Sequence, residues 1–388
     1  MSAPTRMKFG TFLAPFHPVG ENPTLALERD LQLLELLDEL GYEEAWVGEH
    51  HSAGWETIAS PEIFIATAAG RTKHIKLGTG VVSLPYHHPL MVADRMVLLD
   101  HLTRGRVLFG VGPGALPTDA LMLGIDPPTQ RPRMNEALGI IMRLFTETDP
   151  ITYDSDWFKL RNARLQLRPY TQPHMPIAVA AVQTPSGMVA AGQYGVGVLT
   201  LAIPRGKDME ALREFWGIGE KTAAEYVKTM DRSQWRVVLH VHLAESRKDA
   251  LAQIHERSAR YQHEYRIQTI GVEQAGDIAP EDYARVMSEQ NVWIIGTPDD
   301  LVAHIHRLQE ATGGFGGLMV QAIDWADREH LTHSYELLAR YVMPQFQGSL
   351  AGIQASQQDA MAHVAELRDV RAEALGKARA DYAAKQGG

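Results

Sequence analysis

Two adjacent histidines follow a short apolar run and are the side chains best suited to proton transfer. Glu49, His50 and His51 follow residues 45–48, which we predict to be a strand. Side chains of a strand point alternately to its two faces, so His50 and His51 should diverge and are poorly placed to bind one metal ion together. A histidine at the carboxyl end of a barrel strand can act as a general acid or base near neutral pH. The alternative is a structural histidine bonded to a backbone carbonyl.

The turn Gln183-Thr-Pro-Ser-Gly187 has the composition of an anion site. It joins a predicted strand to a helix that begins near Ser186. Free N–H groups at a helix N-terminus, together with hydroxyl groups, bind phosphate well. Arg131 and Arg133 stand at the start of another predicted helix and could supply a cation. The simpler alternative is that Ser186 only caps its own helix.

Three other motifs indicate structure more than chemistry. The run Gly110-Val-Gly-Pro-Gly114 faintly resembles a dinucleotide-binding loop, but Pro113 and Pro117 interrupt it. We interpret it as a tight loop that a ligand can approach closely. The glycine-rich residues 313–317 precede a strand and are predicted to be a helix-to-strand turn. The pair His87-His88 lies between prolines, and we predict a turn there.

Predicted strands and helices alternate along most of the chain. Each strand is followed by a segment with helical spacing of apolar residues, an order typical of a parallel sheet with crossover helices. Eight such units predict an α/β fold, the closed (β/α)8 TIM barrel, with a doubly wound open sheet as the alternative. The predicted strands are residues 8–14, 45–48, 75–83, 107–111, 176–182, 197–201, 236–243 and 317–323.

Three insertions and a tail depart from this alternation. Residues 151–168 are predicted to form a hairpin, and residues 205–232 to be polar and partly helical. Residues 262–291 are mostly polar and contain two glycines and a proline, so we expect them to bury little and to form a mobile lid over the active site. Beyond the last helix no strand is predicted. We therefore expect a barrel domain, residues 1–348, and a helical tail, residues 349–388.

Composition and charge restrict the class of protein. The 388 residues are 45% hydrophobic and 22% charged, which is ordinary for a globular chain, and the absence of cysteine excludes disulfides and thiolate chemistry. The net charge of −10 and the lack of a Lys/Arg cluster argue against binding to nucleic acid or to an anionic membrane. No apolar run approaches the length of a membrane span, and the first residues lack the apolar stretch of a signal peptide. We expect a cytoplasmic protein that binds small molecules.

Five motifs occur in an order that resembles the bacterial luciferase family of flavin monooxygenases. The motifs are MKFGTFL from Met7, WVGEHH from Trp46, GTGVVSLP from Gly78, LDHLTRGR from Leu99 and GTP from Gly296. None is decisive alone, but the series is specific because it extends over residues 7–344. The resemblance implies the barrel fold and a flavin at the carboxyl ends of its strands.

The resemblance also implies roles for individual residues. His50 takes the position of the catalytic histidine, which handles protons where oxygen reacts with the flavin. A non-proline cis peptide is expected at Gly80-Val81, where the backbone and Phe12 contact the flavin ring. Phosphate contacts are implied for Arg131, Gln183, Thr184, Ser186 and Gly187, and a substrate pocket for His17, Trp55 and Leu116.

The chain departs from luciferase at three of the family positions near the cofactor. Pro113 stands in place of an arginine, Gln183 in place of a glutamate, and Gly112 in place of a reactive but dispensable cysteine. We therefore expect the phosphate contacts to differ in detail from those of luciferase.

The activity implied by the resemblance is that of a two-component monooxygenase. FMN would arrive reduced, as FMNH2, from a separate NAD(P)H:flavin reductase, and one atom of O2 would enter a small apolar substrate, as in epoxidation of a monoterpene such as limonene. A homo-oligomer is expected. One alternative is a deazaflavin-dependent dehydrogenase or reductase on the same barrel, and another is a non-catalytic flavin-binding protein. No metal is expected.

Overall fold

The strands of the chain form one closed barrel and one separate hairpin. The computed structural model describes residues 6–181, 185–201, 209–272 and 278–386. In these residues the strands are β1 (Lys8–Phe16), β2 (Glu44–Val47), β3 (Lys76–Thr79), β4 (Val82–Ser83), β5 (Val107–Gly112), β6 (Ile151–Asp154), β7 (Lys159–Ala163), β8 (Ile177–Ala181), β9 (Gly197–Thr200), β10 (Trp235–Leu243), β11 (Trp293–Gly296) and β12 (Gly317–Ile323).

Parallel pairing closes the ring. The strands follow one another as β12, β1, β2, β3, β5, β8, β9 and β10, and β10 pairs again with β12. The eight-stranded TIM barrel predicted from the sequence is therefore confirmed, and the doubly wound sheet is wrong. β4 continues β3 along β5, and β6 and β7 form the predicted antiparallel hairpin outside the ring.

Helices follow the strands and cover the barrel. They are α1 (Pro23–Glu39), α2 (Pro61–Arg71), α3 (Pro89–Thr103), α4 (Pro117–Met122), α5 (Gln130–Thr146), α6 (Ser186–Tyr194), α7 (Met209–Glu225), α8 (Arg247–Arg260), α9 (Pro280–Glu289), α10 (Pro298–Thr312), α11 (Arg328–Leu337), α12 (Met343–Gln347), α13 (Ala351–Ala362) and α14 (Val364–Gln386). Short 3₁₀ turns span Leu84–Tyr86, Pro127–Thr129 and Arg232–Gln234, and π-helical stretches span Tyr261–Thr269 and Leu338–Val342.

The ends of α10 show how the sequence sets helix boundaries. Thr297 caps the backbone of Asp300, whose side chain returns a bond to the cap residue, and Pro298 occupies the first turn. The helix ends at Gly313, whose φ of 78° is the left-handed conformation that glycine adopts without strain. The helix-to-strand turn predicted for residues 313–317 is thus confirmed.

Strand alternation divides the apolar side chains into two layers. Phe9 and Leu13 of β1 face outward and belong to the large core between strands and helices. Phe12 and Ala14 face inward, where they meet Trp46 and residues of other strands in the barrel interior. This alternation decides which side chains of each strand can reach a ligand inside the barrel.

The segment expected to be a polar lid is mostly helical and packed. The π-helical stretch Tyr261–Thr269 continues α8, and α9 follows residues 273–277, which lie outside the described part. Tyr265, Tyr283 and Met287 are buried in an aromatic cluster at the barrel rim. The expectation that this segment has little to bury is therefore wrong. The mobile lid was expected on that ground, so the structure removes the argument for it.

The strand β11 was not predicted from the sequence. β11 pairs with residues His240–Leu243 of β10, beyond the residues that β9 and β12 pair in the ring. Its Trp293 stacks on the ring of His240, with centroids 5.3 Å apart. The run is only four residues long and fully buried, a pattern that cannot be told from part of a helix by periodicity.

The tail forms helices, as predicted, that add nothing to the core. Every residue from 351 to 386 is exposed. Gly348, with φ of 73°, ends α12 just before them. None of the helices in the described part of the chain combines the length and the apolar character that crossing a bilayer requires.

Candidate active site

The floor of the barrel is closed by a buried ion pair between opposite walls. Arg236 of β10 donates from Nη2 and Nε to Oε1 and Oε2 of Glu44 on β2, at 2.8 and 3.0 Å. Trp46 donates from Nε1 to the same carboxylate at 3.0 Å, and its ring faces the guanidinium. The strength of these bonds keeps the pKa of Glu44 low although burial opposes it. Sequence reasoning missed this pair because the two residues are far apart in the chain.

Above this floor, β2 directs His50 toward the inside of the rim. Glu44 and Trp46 occupy interior positions, so His50 continues the same face, whereas Val47 packs outside. The backbone N–H of His50 donates to the carbonyl of Ile58, which fixes the turn that follows the strand.

The imidazole of His50 lies between two carboxylates. Its Nδ1 is 3.0 Å from Oδ2 of Asp119, and its Nε2 is 3.1 Å from Oε2 of Glu56. Both carboxylates are buried, and the His50 side chain is 14% exposed. Neither carboxylate was found from the sequence, since Glu56 lies in the loop after β2 and Asp119 in the short helix α4.

Burial and charge act in opposite directions on this triad. Burial lowers the pKa of His50, but the two carboxylates outweigh it and the pKa is raised. For Asp119 burial raises the pKa, and bonds from His50 and Ser52 bring it below its usual value. Burial dominates for Glu56, whose pKa is raised despite His50. The arrangement can therefore hold a proton near His50 at neutral pH and exchange it with Glu56.

The outer face of the same turn carries a second cluster. Oε1 of Glu49 lies 2.8 Å from Nε2 of His51 and 2.6 Å from Nε2 of His87, and Oε2 accepts from the backbone N–H of Ser83 at 2.7 Å. The two histidines after β2 thus diverge, as strand alternation predicts. The expectation that His87 is only part of a turn is wrong, since it binds Glu49. The three ligand atoms lie within 4.8 Å of one another, close enough for a metal ion, but hydrogen bonds already satisfy the carboxylate.

Small residues line the barrel interior beside His50. Gly80 has the cis peptide bond to Val81 that the family resemblance implies. A Cβ on Gly80 would approach Trp46 at 2.9 Å and Phe12 at 3.0 Å, so only glycine fits between these rings. On β5, a Cβ on Gly112 would come within 2.6 Å of Val81. These glycines therefore allow Phe12, Trp46 and Val81 to pack directly against the backbone inside the barrel.

The helices α5 and α6 begin at the same rim and lie side by side, with Nδ2 of Asn135 donating to Oε1 of Gln193 at 3.2 Å. Gly187 allows α6 to approach β8 closely, since a Cβ would lie 2.6 Å from the carbonyl oxygen of Ala180. Gln183 and Thr184 lie outside the described residues, and Ser186 begins α6.

Two arginines of the first turn of α5 differ in exposure. Arg131 is exposed, whereas Arg133 is half-buried with its guanidinium over the ring of Trp157. Nε of Arg133 is buried and has no hydrogen-bond partner within the described ranges. Such a cation suits an anionic group at these helix N-termini. Pro113, the position that lacks the luciferase arginine, gives its carbonyl to Nε2 of Gln130 at 2.8 Å.

The three residues expected at the substrate pocket are buried, and His17 and Trp55 line different cavities in the described part of the chain. Trp55 lines a cavity of about 590 Å³ at the rim, with an apolar side and a charged edge. His17 lines a neighbouring cavity of about 340 Å³ between α1 and α11, and its Nε2 is 2.9 Å from Oδ2 of Asp30. Leu116 instead begins α4, where its carbonyl accepts from the backbone N–H of Asp119.

Fold and rim together define a closed parallel barrel with a histidine held between two carboxylates at the carboxyl end of its second strand. The family model for the luciferase-like monooxygenases matches residues 7–314, and the chain belongs to that family. It is therefore an enzyme, a monooxygenase.

Relatives of known activity support this assignment over nearly the whole chain. The sequence is 50% identical to the 4-hydroxyprotoasukamycin monooxygenase of Streptomyces nodosus subsp. asukaensis, over 90% of this chain and 95% of that one. It is 45% identical to the limonene 1,2-monooxygenase of Rhodococcus erythropolis, over 89% of this chain and 88% of that one. The oxygenating constituent of 3,6-diketocamphane monooxygenase from Pseudomonas putida, solved with FMN, superposes with a TM-score of 0.75 at 27% identity and covers 88% of this chain and 99% of its own.

Proposed function

We propose that this chain is the oxygenase component of a two-component flavin monooxygenase. A separate reductase supplies FMNH2, and one oxygen atom of O2 is inserted into a substrate whose reacting part is apolar. The observation that carries the proposal is the placement of His50, held between Glu56 and Asp119 beside the glycine-lined mouth of the barrel. Membership of the family supplies the reaction class. We further propose a homo-oligomer in the cytoplasm.

The residues present at the rim fit a flavin mononucleotide. The ring system would lie against Phe12 and the Gly80-Val81 backbone, and the N-terminus of α6 would hold the phosphate, with Arg131 or Arg133 as its cation. Reduced FMN supplies the electrons with which O2 is activated. The protein's part is to place the ring, the substrate and a proton donor together.

His50 provides the proton at this site. With a carboxylate on each side, its imidazole is held protonated and oriented, and Nε2 carries the proton that faces Glu56. Buried aromatic side chains of the rim, among them Trp55, Tyr261 and Tyr265, limit the access of water. Water exclusion matters because it prevents loss of the activated oxygen as hydrogen peroxide.

We propose that the substrate binds in the larger of the two cavities. Phe16, Trp55 and Tyr261 form its apolar side, and Trp55 precedes Glu56 in the chain. Its edge carries Arg257 and Arg260, so polar groups of a substrate can be bound there. We propose that the apolar, reacting part of the substrate lies on the aromatic side. Limonene and 4-hydroxyprotoasukamycin, the compounds on which the two relatives act, are the first candidates to assay.

The test is to follow the fate of oxygen. The protein is mixed without air with FMNH2, and binding is measured; ¹⁸O₂ and a candidate substrate are then added, and product and hydrogen peroxide are quantified. We expect tight binding of FMNH2 and one ¹⁸O atom in the product. Product that carries no ¹⁸O would contradict the proposal.

A parallel measurement with the deazaflavin coenzyme separates the alternatives. Preferential binding of that coenzyme, with hydride transfer that needs no oxygen, would identify a dehydrogenase on this barrel. Flavin binding without turnover of any kind would leave the non-catalytic alternative. The measurement therefore distinguishes all three functions that the sequence left open.

A further inference from the structure

A hydrogen-bonded chain runs inward from the π-helical stretch to His50. The hydroxyl of Tyr265 donates to Oε1 of Glu56, and Oε2 of the same carboxylate faces Nε2 of His50 at 3.1 Å. Tyr265 belongs to the segment after α8, and Glu56 to the loop after β2. Two elements distant in sequence are thus connected to one nitrogen of the imidazole, Glu56 directly and Tyr265 through Glu56.

The carboxylates on the two sides of His50 are not equivalent. Oδ1 of Asp119 accepts from the Ser52 hydroxyl and from the backbone N–H of His51, so two further donors hold this carboxylate as an anion. Glu56 has one further donor, the Tyr265 hydroxyl, and its side chain is 3% exposed. A proton on the triad is therefore shared more readily between His50 and Glu56 than between His50 and Asp119.

We propose that Glu56 and Tyr265 are positioning residues that set the protonation of His50. Glu56 orients Nε2 and shares its proton, and Tyr265 sets how basic Glu56 is by donating to its second oxygen. When a ligand displaces Glu56 from Nε2, the proton is already on His50 and can be delivered to the reaction site. The catalytic use of this proton rests on the proposed monooxygenase function, whereas the control of His50 by the pair does not.

Within residues 6–181, 185–201, 209–272 and 278–386, three other groups bear on the charge of His50. Asp119 of α4 and Glu49 of the preceding turn both favour the protonated imidazole, and His51 lies on the opposite face of the turn, bonded to Glu49. Asp119 also adds to the raised pKa of Glu56. Variants of Glu56 and Tyr265 leave these groups in place, so their effects on His50 can be assigned to the pair.

The experiment titrates His50 directly in the full-length protein without cofactor. Histidine is labelled with ¹³C at Cε1, and His50→Gln identifies its signal among the 17 histidines. In Glu56→Gln we expect the pKa of His50 to fall by about 1 unit or more, because a neighbouring opposite charge is removed. In Tyr265→Phe we expect the shared proton to leave at higher pH than in the wild type, because Glu56 loses a donor that stabilises its anion.

Opposite shifts for the two variants distinguish positioning from a loss of packing. Tyr261→Phe is the matched control, since Tyr261 lies on the same π-helical stretch and its ring stacks on Tyr265 with centroids 5.5 Å apart. It should leave the His50 titration unchanged. Glu56→Asp, which keeps the charge, should restore part of the shift seen in Glu56→Gln. Unchanged titration in both Glu56→Gln and Tyr265→Phe, or shifts of the same sign, would overturn the proposal.

Activity measurements separate this inference from the proposed function. With FMNH2 and O2, Glu56→Gln should lower kcat and move the alkaline limb of the pH profile to lower pH, while flavin affinity stays near that of the wild type. If the titrations show the expected opposite shifts but no variant, nor the wild type, oxygenates a substrate, the positioning role stands and the proposed function falls.

Discussion

Two clusters of histidine and carboxylate lie back to back on the turn after β2, and they are built in opposite proportions. On the inner face one imidazole, His50, stands between two carboxylates. On the outer face one carboxylate, Glu49, stands between two imidazoles, with a backbone N–H as its third donor. The inner cluster has a surplus of acceptors and can hold an extra proton. The outer cluster has its donors and acceptors matched and ties β2 to the turn after β3. The two clusters contain the same types of residue. The balance of hydrogen-bond donors and acceptors decides which of them can hold an extra proton.

Removal of the inner histidine should have the largest effect on activity. We expect His50→Ala to lower substrate turnover by about 10²-fold or more, the usual effect of losing a positioned acid or base. His51→Ala is the matched control and should retain much more activity, since the His51 imidazole bonds to Glu49 on the opposite face and the substitution keeps the backbone N–H that donates to Asp119. Steady-state turnover with FMNH2 and O2 measures both. His50→Ala activity within a factor of about two of the wild type, far below the acid–base effect, would refute the assignment.

The arginines at the start of α5 should affect the binding of FMN and not the chemistry at His50. We expect Arg131→Ala to weaken FMN binding by about 1.5–3 kcal/mol, the range for a bond to a charged group, with little change in His50 chemistry on bound flavin. Arg133→Ala tests whether the half-buried arginine contributes instead. Titration of each variant with FMN gives the two affinities. If neither variant loses affinity, the phosphate lies elsewhere on the rim.

The outer cluster should respond in stability. We expect Glu49→Gln to lower the free energy of unfolding by about 1–3 kcal/mol, because a buried hydrogen-bonding partner of three donors is weakened. Urea unfolding measures the change, and turnover per folded molecule should fall less than in His50→Ala. A loss of turnover as large as that of His50→Ala, at unchanged stability, would mean that the outer cluster also acts in the chemistry.

The smallest expected effect is a change in the pH dependence of stability. The bond to Glu49 raises the pKa of His51 above its unfolded value. Its contribution to stability is therefore complete below about pH 6.5, the unfolded pKa, and is lost as pH rises through the folded pKa. His51→Gln should flatten this decline relative to the wild type. Unfolding curves collected from pH 6 to pH 9 would show it, and identical slopes in both proteins would contradict the prediction.

The barrel could be predicted from the sequence because its signal is local and repeated. Each strand–helix unit shows its own change of period, and the eight predicted strands lie in the observed ring. The placement of His50 and His51 on opposite faces needed only the alternation of a strand. By contrast, Glu56 reaches His50 from a loop and Asp119 from a short helix, and Tyr265 bonds to Glu56 from a π-helical stretch. These contacts could not be predicted, because no regular spacing of residues in the sequence corresponds to them.

The error over the segment after α8 has a similar origin. Its composition is polar on average, but Tyr265, Tyr283 and Met287 are spaced so that α9 and the π-helical stretch each bury one side. The polar average composition concealed the regular spacing of the apolar residues, because the buried residues are a minority in each helix. The missed strand β11 was too short for its period to be recognised.

The ion pair on the barrel floor joins two strands that are far apart in the sequence, so it forms only when the barrel closes. Glu44 and Arg236 are 192 residues apart in sequence, and both are buried when they meet. A partly assembled barrel that buried either one alone would leave an uncompensated charge, which costs several kcal/mol. Conformations with β10 out of register are disfavoured for the same reason. The pair therefore favours the barrel whose strands are correctly aligned over barrels that close with the wrong strand alignment.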